Sequence, residues 1–384
     1  MSWDTIIGQD RIKHLLQRIL LSGNIGSAYL FWGAPGVGAD ALAVEFGKVL
    51  NCISPIRSDS TFAACDQCRH CRQFAQLQHP NLHLLFPLPA GKRSKAETVW
   101  ESLSEEQMAN VHQALQQKVT DPYLPLEIPG AQSIKIQQIR ELRKTLSLAP
   151  SVPGGRRIVL ILAADTLTTE AANALLKTLE EPHPDTTILL TAERKDRLLP
   201  TILSRCQILR CEPLPEEAIT EALQHRHHLS EDMARLLAHL AEGDYARAQA
   251  MITTDMEQLL ELAIEFLRAA LRPSQWGIHI AQQIEQVQSF DKSQQIAFLQ
   301  ILQRWLRLAW EASLTGTVDH LPPLFQRTPL AKFAQLYATA DFPSVLTEIE
   351  HTISALQHNQ QLALSIYHFV FRLRKLLLQK TDVS

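Results

Sequence analysis

Four cysteines in the N-terminal part of the chain have the spacing of a metal site. Cys65, Cys68 and Cys71 form two consecutive CxxC steps, and Cys52 precedes them at the end of a predicted helix. Each CxxC step lets two sulfurs reach one ion from a tight turn, and four thiolates complete a tetrahedral structural zinc site. An iron–sulfur cluster and free buried thiols are the alternatives. We favour zinc, because the cysteines lie in a loop of an otherwise complete domain.

A glycine-rich turn at residues 33–40 has the context of a phosphate-binding loop, since an apolar run precedes it and a predicted helix follows it. In a Walker A loop, backbone amides and the helix N-terminus bind phosphates, and a Lys and a Ser or Thr follow the last glycine. Here those places hold Ala39 and Asp40, so the phosphate-binding cation and the Mg²⁺-binding hydroxyl are missing. The glycines of this degenerate nucleotide site are Gly33, Gly36 and Gly38.

The charge of Asp40 disfavours a bound nucleotide further. Two like charges ~4 Å apart repel by about 4 kcal/mol at an effective dielectric constant of 20. A carboxylate in the first turn of a helix also suits the helix dipole. The loop could therefore carry its own anion in place of a phosphate. An ordinary strand-to-helix turn is the alternative to a degenerate nucleotide site.

A second requirement for ATP hydrolysis is unmet as well. A Walker B strand ends in Asp-Glu, which holds Mg²⁺ and polarises water. The buried strand predicted at residues 157–162 instead places Leu162 and Ala163 there, and Asp165 lies too far along the chain. Two independent losses predict that the chain does not hydrolyse ATP.

Three apolar runs separated by amphipathic helices predict a parallel sheet covered by helices on both faces. The runs are Ala28–Trp32, residues 157–162 and residues 187–191, and the helices include Ala39–Leu50 and one capped by Thr168. Residues 87–132 contain five prolines and the basic stretch 91–95, and they predict an insertion with one helix at about 104–118. The basic stretch could touch DNA or a partner, although a solvated arm is favoured. After about residue 212 only helical patterns remain.

Composition limits the possible classes of protein. The chain has 384 residues, a net charge of -3 and a pI of about 6.6, which do not indicate a basic protein that coats nucleic acid by itself. No apolar stretch reaches the ~18 residues of a membrane span, and no secretory signal pattern is seen. We therefore expect a cytoplasmic protein whose cysteines are reduced.

Three further segments give the chain a family resemblance. They are residues 7–9 (Ile-Gly-Gln), residues 173–182 (Asn-Ala-Leu-Leu-Lys-Thr-Leu-Glu-Glu-Pro) and the Ser-Arg-Cys motif at 204–206. With the altered phosphate loop they resemble the clamp-loader AAA+ proteins of bacterial DNA polymerase III. The resemblance covers about residues 1–250 through distinct motifs, and the C-terminal part only in its helical character.

The resemblance implies a role inside a ring of subunits that opens a sliding clamp and places it on primed DNA. In such rings the Arg of the Ser-Arg-Cys motif reaches a neighbour's ATP as an arginine finger, and Arg205 matches it. Family members without ATPase activity lack a working Walker A loop and carry a four-cysteine zinc module, which fits Ala39, Asp40 and the cysteine cluster. Arg247 matches the sensor-2 position of the second domain.

The implied architecture has three domains. An AAA+ α/β domain would span residues 1–211, with the zinc module at 52–71 and the insertion at 87–132. A small helical lid would span 212–255, and a helical oligomerisation (collar) domain 256–384. We expect structural Zn²⁺, weak or absent ATP binding and no membrane. The expected partners are clamp-loader ATPase subunits, the delta subunit, the sliding clamp and, through the assembled complex, primed DNA.

Two other functions remain open at this point. An ATP-hydrolysing motor subunit of the gamma/tau type would need Lys and Thr at positions 39 and 40. A zinc-containing DNA-binding repair protein would bind DNA alone with a steep salt dependence, and the acidic balance argues mildly against it.

Overall fold

The computed structural model describes residues 3–91, 98–148, 152, 155–252, 255–318, 325, 328–357 and 361–378. The chain divides into two compact units. The first comprises Met1–Ile219 and Glu242–Ala246, and the second comprises Thr220–Ala241 and Arg247–Ser384. The division into three domains stays a prediction.

Helices and strands alternate along the first unit. In chain order its elements are α1 (Asp10–Ser22), β1 (Ala28–Trp32), α2 (Ala39–Leu50), β2 (Ile56–Arg57), β3 (Phe62–Ala63), α3 (Arg69–Ala75), β4 (Leu82–Leu85), β5 (Leu88–Pro89), α4 (Val99–Ser102), α5 (Glu105–Thr120), β6 (Ala131–Ser133), α6 (Ile136–Leu146), β7 (Arg157–Ile161), α7 (Thr169–Glu180), β8 (Thr186–Ala192), α8 (Pro200–Leu203) and β9 (Gln207–Arg210). Short 3-10 turns lie at Ala164–Thr166 and Lys195–Arg197.

Five strands form one parallel sheet in the order β4-β7-β8-β1-β9. Every residue of β7 and β8 is buried, as helices on both faces of a parallel sheet require. The carboxyl ends of parallel strands share one edge, which is where ligands bind in such sheets. The predicted α/β fold class, with a helical C-terminal region, is confirmed.

Most predicted elements are found at the expected places. β1 and α2 have the predicted bounds, and the Thr168 hydroxyl caps α7 by accepting a hydrogen bond from the Ala171 amide (3.2 Å). Two sheet strands, β4 and β9, were not predicted. β4 is a short run beside a proline-rich segment, and β9 is an edge strand with only one buried residue.

The insertion at 87–132 is folded where the structure describes it. β5 and β6 pair antiparallel and close its base. The predicted helix at 104–118 is α5, which begins with a capping box formed by Ser104 and Gln107. Four residues of the basic stretch, Lys92, Arg93, Ser94 and Lys95, lie outside the described residues, so its proposed contact stays a prediction.

Only helices are described after β9. They are α9 (Glu216–His227), α10 (Glu231–Ala241), α11 (Tyr245–Ala250), α12 (Met256–Ala270), α13 (Trp276–Gln288), α14 (Lys292–Thr315), α15 (Leu330–Leu336), α16 (Phe342–Gln357) and α17 (Leu362–Leu378). In the second unit Trp305 of α14 is fully buried and packs edge-to-face against Phe333. None of the helices in the described ranges is both long and apolar enough to cross a membrane.

Candidate functional site

The glycine-rich turn at residues 33–40, predicted to be a degenerate phosphate loop and called the phosphate loop below, lies at the carboxyl edge of the sheet and borders a cavity of about 660 Å³. The loop follows β1, while Leu162 and Ala163 follow β7 and Glu193 follows β8. The other side of the cavity is formed by the insertion, through residues 122–132 and Lys118. Parallel sheets commonly bind ligands at this edge, but the lining here includes three carboxylates (Asp40, Glu127 and Glu193) and one ammonium group.

Asp40 does not stand alone at the start of α2. Its Oδ2 lies 2.5 Å from Nζ of Lys118, which projects from α5 in the insertion and is only 4% exposed. Lys118 Nζ also donates hydrogen bonds to the carbonyls of Pro122 (2.8 Å) and Leu124 (2.6 Å). Asp40 is therefore the anion that the phosphate loop carries itself, and Lys118 from the insertion is its counter-ion.

A second contact from the insertion reaches the loop at Gly38. The Tyr123 ring lies against this glycine, so that a Cβ there would meet ring carbon Cε1 at 2.9 Å, and the backbone φ of Gly38 is +93°. The Tyr123 hydroxyl accepts a hydrogen bond from the Ile7 amide (2.6 Å), and its ring packs edge-to-face with Tyr245. Only glycine fits at position 38, because both the space and the left-handed backbone require it.

Residues 242–246 also contact the phosphate loop, at Gly36. The Tyr245 amide donates a hydrogen bond to the Gly36 carbonyl (3.2 Å), and the Asp244 carboxylate lies where a Cβ on Gly36 would be. The loop thus has a second carboxylate beside it, which adds to the negative charge that a phosphate would meet.

Gln9 of the Ile-Gly-Gln segment joins the loop to the segment after β9. Its Nε2 donates hydrogen bonds to the carbonyls of Val37 (3.1 Å) and Glu212 (2.6 Å), and its Oε1 accepts one from the Glu212 amide (3.2 Å). One side chain therefore fixes the position of the loop relative to the end of β9.

The strand that would carry Walker B carboxylates has none at its carboxyl end. Leu162 and Ala163, the residues predicted to replace them, line the cavity. Asp165 lies one turn further, where its Oδ2 accepts a hydrogen bond from the Arg194 amide (3.2 Å).

The four cysteine sulfurs converge as the spacing predicted. Their Sγ atoms all lie within 4.8 Å of one another, with 3.4 Å between Cys68 and Cys71 and 3.9 Å between Cys65 and Cys71. A tetrahedral ion with Zn–S bonds of about 2.3 Å places its sulfurs about 3.8 Å apart. The cluster therefore fits a metal ion such as zinc.

Hydrogen bonds favour the thiolate form of two of the four cysteines, Cys65 and Cys68, whereas burial raises the pKa of Cys52 and Cys71. Burial opposes ionisation of Cys68, but hydrogen bonds from the amides of Cys71 and Ile53 and from the thiols of Cys71 and Cys65 together outweigh it and lower the pKa of Cys68 to about 6. The Cys65 amide likewise donates to Cys52 Sγ (3.3 Å). Cys206 and Cys211 lie elsewhere, and burial raises their pKa values to about 11 and about 12.

A buried ion pair ties the cysteine loop to the helix after the phosphate loop. Lys48 of α2 is 1% exposed and lies between Glu45 Oε2 (2.8 Å) and the carboxylate of Asp66, which is in the Cys65–Cys68 turn. Glu45 is fully buried, and this burial raises its pKa to about 7 despite the nearby lysine. The turn of the cluster is thereby held on α2 by charge as well as by packing.

Arg205 lies at the end of α8, with its side chain 34% exposed. Its Nη1 donates hydrogen bonds to the Thr201 carbonyl (2.9 Å) and the Ser204 hydroxyl (3.3 Å), and its Nη2 to Glu180 Oε1 (2.6 Å). Glu180 belongs to the motif at the end of α7, so two segments noted in the sequence meet here.

The structure thus separates the sequence-predicted residues into distinct places. The loop residues and the four cysteines each form one cluster in the first unit, Arg205 lies apart from both, and Arg247 lies on α11 in the second unit. Lys118 and Tyr123 were missed as loop partners, because no local spacing links them to Asp40. The only sequence signal for these partners was the aspartate itself, because a carboxylate at this position of a phosphate loop requires a cation from elsewhere in the chain.

A family model described as DNA polymerase III, delta subunit, matches residues 8–215, which is more than half of the 384 residues. The chain belongs to this family. Relatives named DNA polymerase III subunit delta' include those of Bacillus subtilis (31% identical over 235 residues) and Pseudomonas aeruginosa (32% over 191). These matches cover 61% and 50% of this chain and 56% and 44% of the relatives. The chain is therefore of the delta-prime type.

Other relatives and structures carry related names. The tau subunit of Escherichia coli DNA polymerase III is 28% identical over 251 residues, 64% of this chain and 32% of tau. A Thermotoga maritima gamma-subunit-related protein is 18% identical, with a TM-score of 0.32 over 78% of this chain and 96% of its own. The Bacillus subtilis clamp loader delta protein is 13% identical, with a TM-score of 0.29 over 94% and 98%.

The buried Glu45 predicts a pH dependence of stability. Its pKa is about 7 in the folded chain and about 4.5 when unfolded, so the folded state binds the extra proton between these values. Stability should fall as the pH rises through this window, by at most about 3 kcal/mol. Glu45→Gln should remove this dependence, because the amide stays neutral.

Urea unfolding at pH 5 and pH 8 measures the effect. The exposed carboxylate of Glu106 on α5 provides the control, and Glu106→Gln should keep the wild-type pH dependence. A Glu45→Gln chain whose stability changes with pH as the wild type does would contradict the assignment.

Proposed function

We propose that this delta-prime-type chain is a clamp-loader subunit of DNA polymerase III that does not hydrolyse ATP. In the assembled loader it supplies Arg205 to the ATP site of a neighbouring ATPase subunit, and it helps to place the sliding clamp on primed DNA during replication. The observation that carries the proposal is the combination of an altered phosphate loop, whose Asp40 is paired with Lys118, with an exposed Arg205 in the Ser-Arg-Cys motif. The protein would work in the cytoplasm.

The chemistry of the loop supports an inactive site. Catalysis of phosphoryl transfer depends on cations that neutralise charge on the phosphates. Here Ala39 replaces the lysine, Asp40 replaces the Mg²⁺-binding hydroxyl, and Leu162 and Ala163 replace the carboxylates. The similarity to tau raises the alternative of a motor subunit, but each group that hydrolysis requires is absent from these positions.

The environment of Arg205 supports a finger that can change partners. Its ion pair with Glu180 is partly exposed on both sides, and such pairs contribute only about 0–1 kcal/mol. A neighbour's ATP phosphates could therefore replace Glu180 at little cost. In the isolated chain, the hydrogen bonds to Glu180 and to the Thr201 carbonyl hold the Arg205 guanidinium beside α8.

The second unit supports a role in subunit assembly. Leu364, Phe371 and Leu378 recur at every seventh position along α17 and are 69%, 60% and 42% exposed. Residues seven apart lie on one face of a helix, so this apolar stripe is suited to contact with other clamp-loader subunits, including delta. The proposed collar domain at 256–384 includes this helix.

The cysteine cluster supports a structural zinc ion, held by Cys52, Cys65, Cys68 and Cys71. When bound, the ion would crosslink the loop that carries Asp66 to the end of α2. Four protein ligands leave no open position for substrate, so the ion would stabilise rather than catalyse.

Replacing one ligand tests the zinc proposal. Cys68→Ser should lower the zinc content from one ion per chain to near zero, and hydrogen exchange at residues 52–75 should increase, because binding of a structural ion contributes to folding. Cys206→Ser, outside the cluster, is the matched control. Zinc content measured by elemental analysis that is zero in the wild type, or unchanged in Cys68→Ser, would contradict the proposal.

The role of Arg205 is tested in a loader reconstituted with its ATPase subunits, delta, clamp and primed DNA. Arg205→Ala should reduce clamp-stimulated ATP hydrolysis and clamp loading by about tenfold or more, since an arginine finger contributes about 10³–10⁵ at its own site. Arg197→Ala removes another exposed arginine of the same unit and should have no effect.

Circular dichroism and native mass measurements establish that the variant folds and assembles. A ring containing Arg205→Ala that hydrolyses ATP and loads clamps at the wild-type rate would refute the finger. ATP hydrolysis by the isolated wild-type chain would instead refute the inactive site.

A further inference from the structure

The insertion turns its buried polar side chains towards the phosphate loop. Lys118 pairs with Asp40 at the start of α2, and Tyr123 lies against Gly38 while its hydroxyl accepts a hydrogen bond from Ile7. Both residues are 4% exposed, although they belong to a proline-rich connection. Burial of a lysine is costly unless its charge is paired and its donors are used, so this contact is specific.

Lys118 has no donor left for another ligand. An ammonium group has three hydrogens, and the Nζ partners are Asp40 Oδ2, the Pro122 carbonyl and the Leu124 carbonyl. The lysine therefore does not take over the role of the missing Walker lysine. It anchors the insertion to the loop.

Ala39 and Asp40 are both compatible with a buried Lys118 beside the loop. Ala39 lines the same cavity as Lys118, so a lysine at position 39 would bring a second ammonium group towards the first. A threonine at position 40 would leave the buried Lys118 without its counter-ion. The loop sequence and the insertion thus fit each other, and neither fits a nucleotide-binding loop.

We propose that the insertion takes the place of a nucleotide as the partner that anchors the phosphate loop, through Lys118 at Asp40 and Tyr123 at Gly38. Through these two contacts the insertion holds the loop in its conformation, and it forms the opposite wall of the cavity that the loop borders. This deepens the proposed lack of ATPase activity by naming what replaces the nucleotide. Its tests use the isolated full-length chain, so they do not depend on clamp loading.

Hydrogen–deuterium exchange of residues 33–42 tests the contact. Lys118→Met should speed exchange there by about tenfold or more, because the loop loses its anchor and opens locally. Gln117→Met changes the neighbouring exposed position of α5 and should leave the loop unchanged. If Lys118→Met does not fold, the pair Asp40→Asn with Lys118→Met removes both charges together and should show the same faster exchange.

A second experiment restores the nucleotide chemistry. Ala39→Lys with Asp40→Thr recreates the Walker residues, and calorimetry then measures binding of Mg-ADP. Adding Lys118→Met and Tyr123→Ala should strengthen binding by about tenfold or more, since the docking site is vacated. Equal affinity with and without the insertion changes would overturn the proposal, as would loop exchange that neither Lys118→Met nor Tyr123→Ala alters.

Discussion

The ion pair between Lys118 and Asp40 is the constraint on which the first unit depends. A lysine that is almost completely buried needs a nearby anion and acceptors for its remaining hydrogens, and Asp40 and two carbonyls of the insertion provide them. The pair fixes the path of residues 118–124 and so places Tyr123 on Gly38. The start of α2, the insertion and the N-terminal segment at Ile7 are thereby joined at one point.

The same helix joins the phosphate loop to the cysteine cluster. Its first turn carries Asp40, and its last turns carry Lys48, which holds Asp66 in the turn between Cys65 and Cys68. Each end of α2 is therefore fixed by a buried lysine, one from the insertion and one of its own.

Local patterns allowed much of the fold to be predicted, and non-local contacts limited the rest. The apolar run of β1, the glycines of the loop and the CxxC steps are features of adjacent residues, and each led to the observed element or cluster. β9 was missed because an edge strand buries only Leu209. Lys118 was missed because its partner lies 78 positions earlier in the chain, and a buried charge pair across that distance leaves no periodic signal.

The ion pair between Asp40 and Lys118 restricts which substitutions the phosphate loop can accept during evolution. A substitution to lysine at position 39 alone would place a second ammonium group near that of Lys118. A substitution to threonine at position 40 alone would leave the buried Lys118 without its counter-ion. Each first step back towards a nucleotide site therefore costs stability, and several changes would have to arise together. If nucleotide binding has been lost as proposed, that loss is a one-way step, which selection on stability alone would preserve.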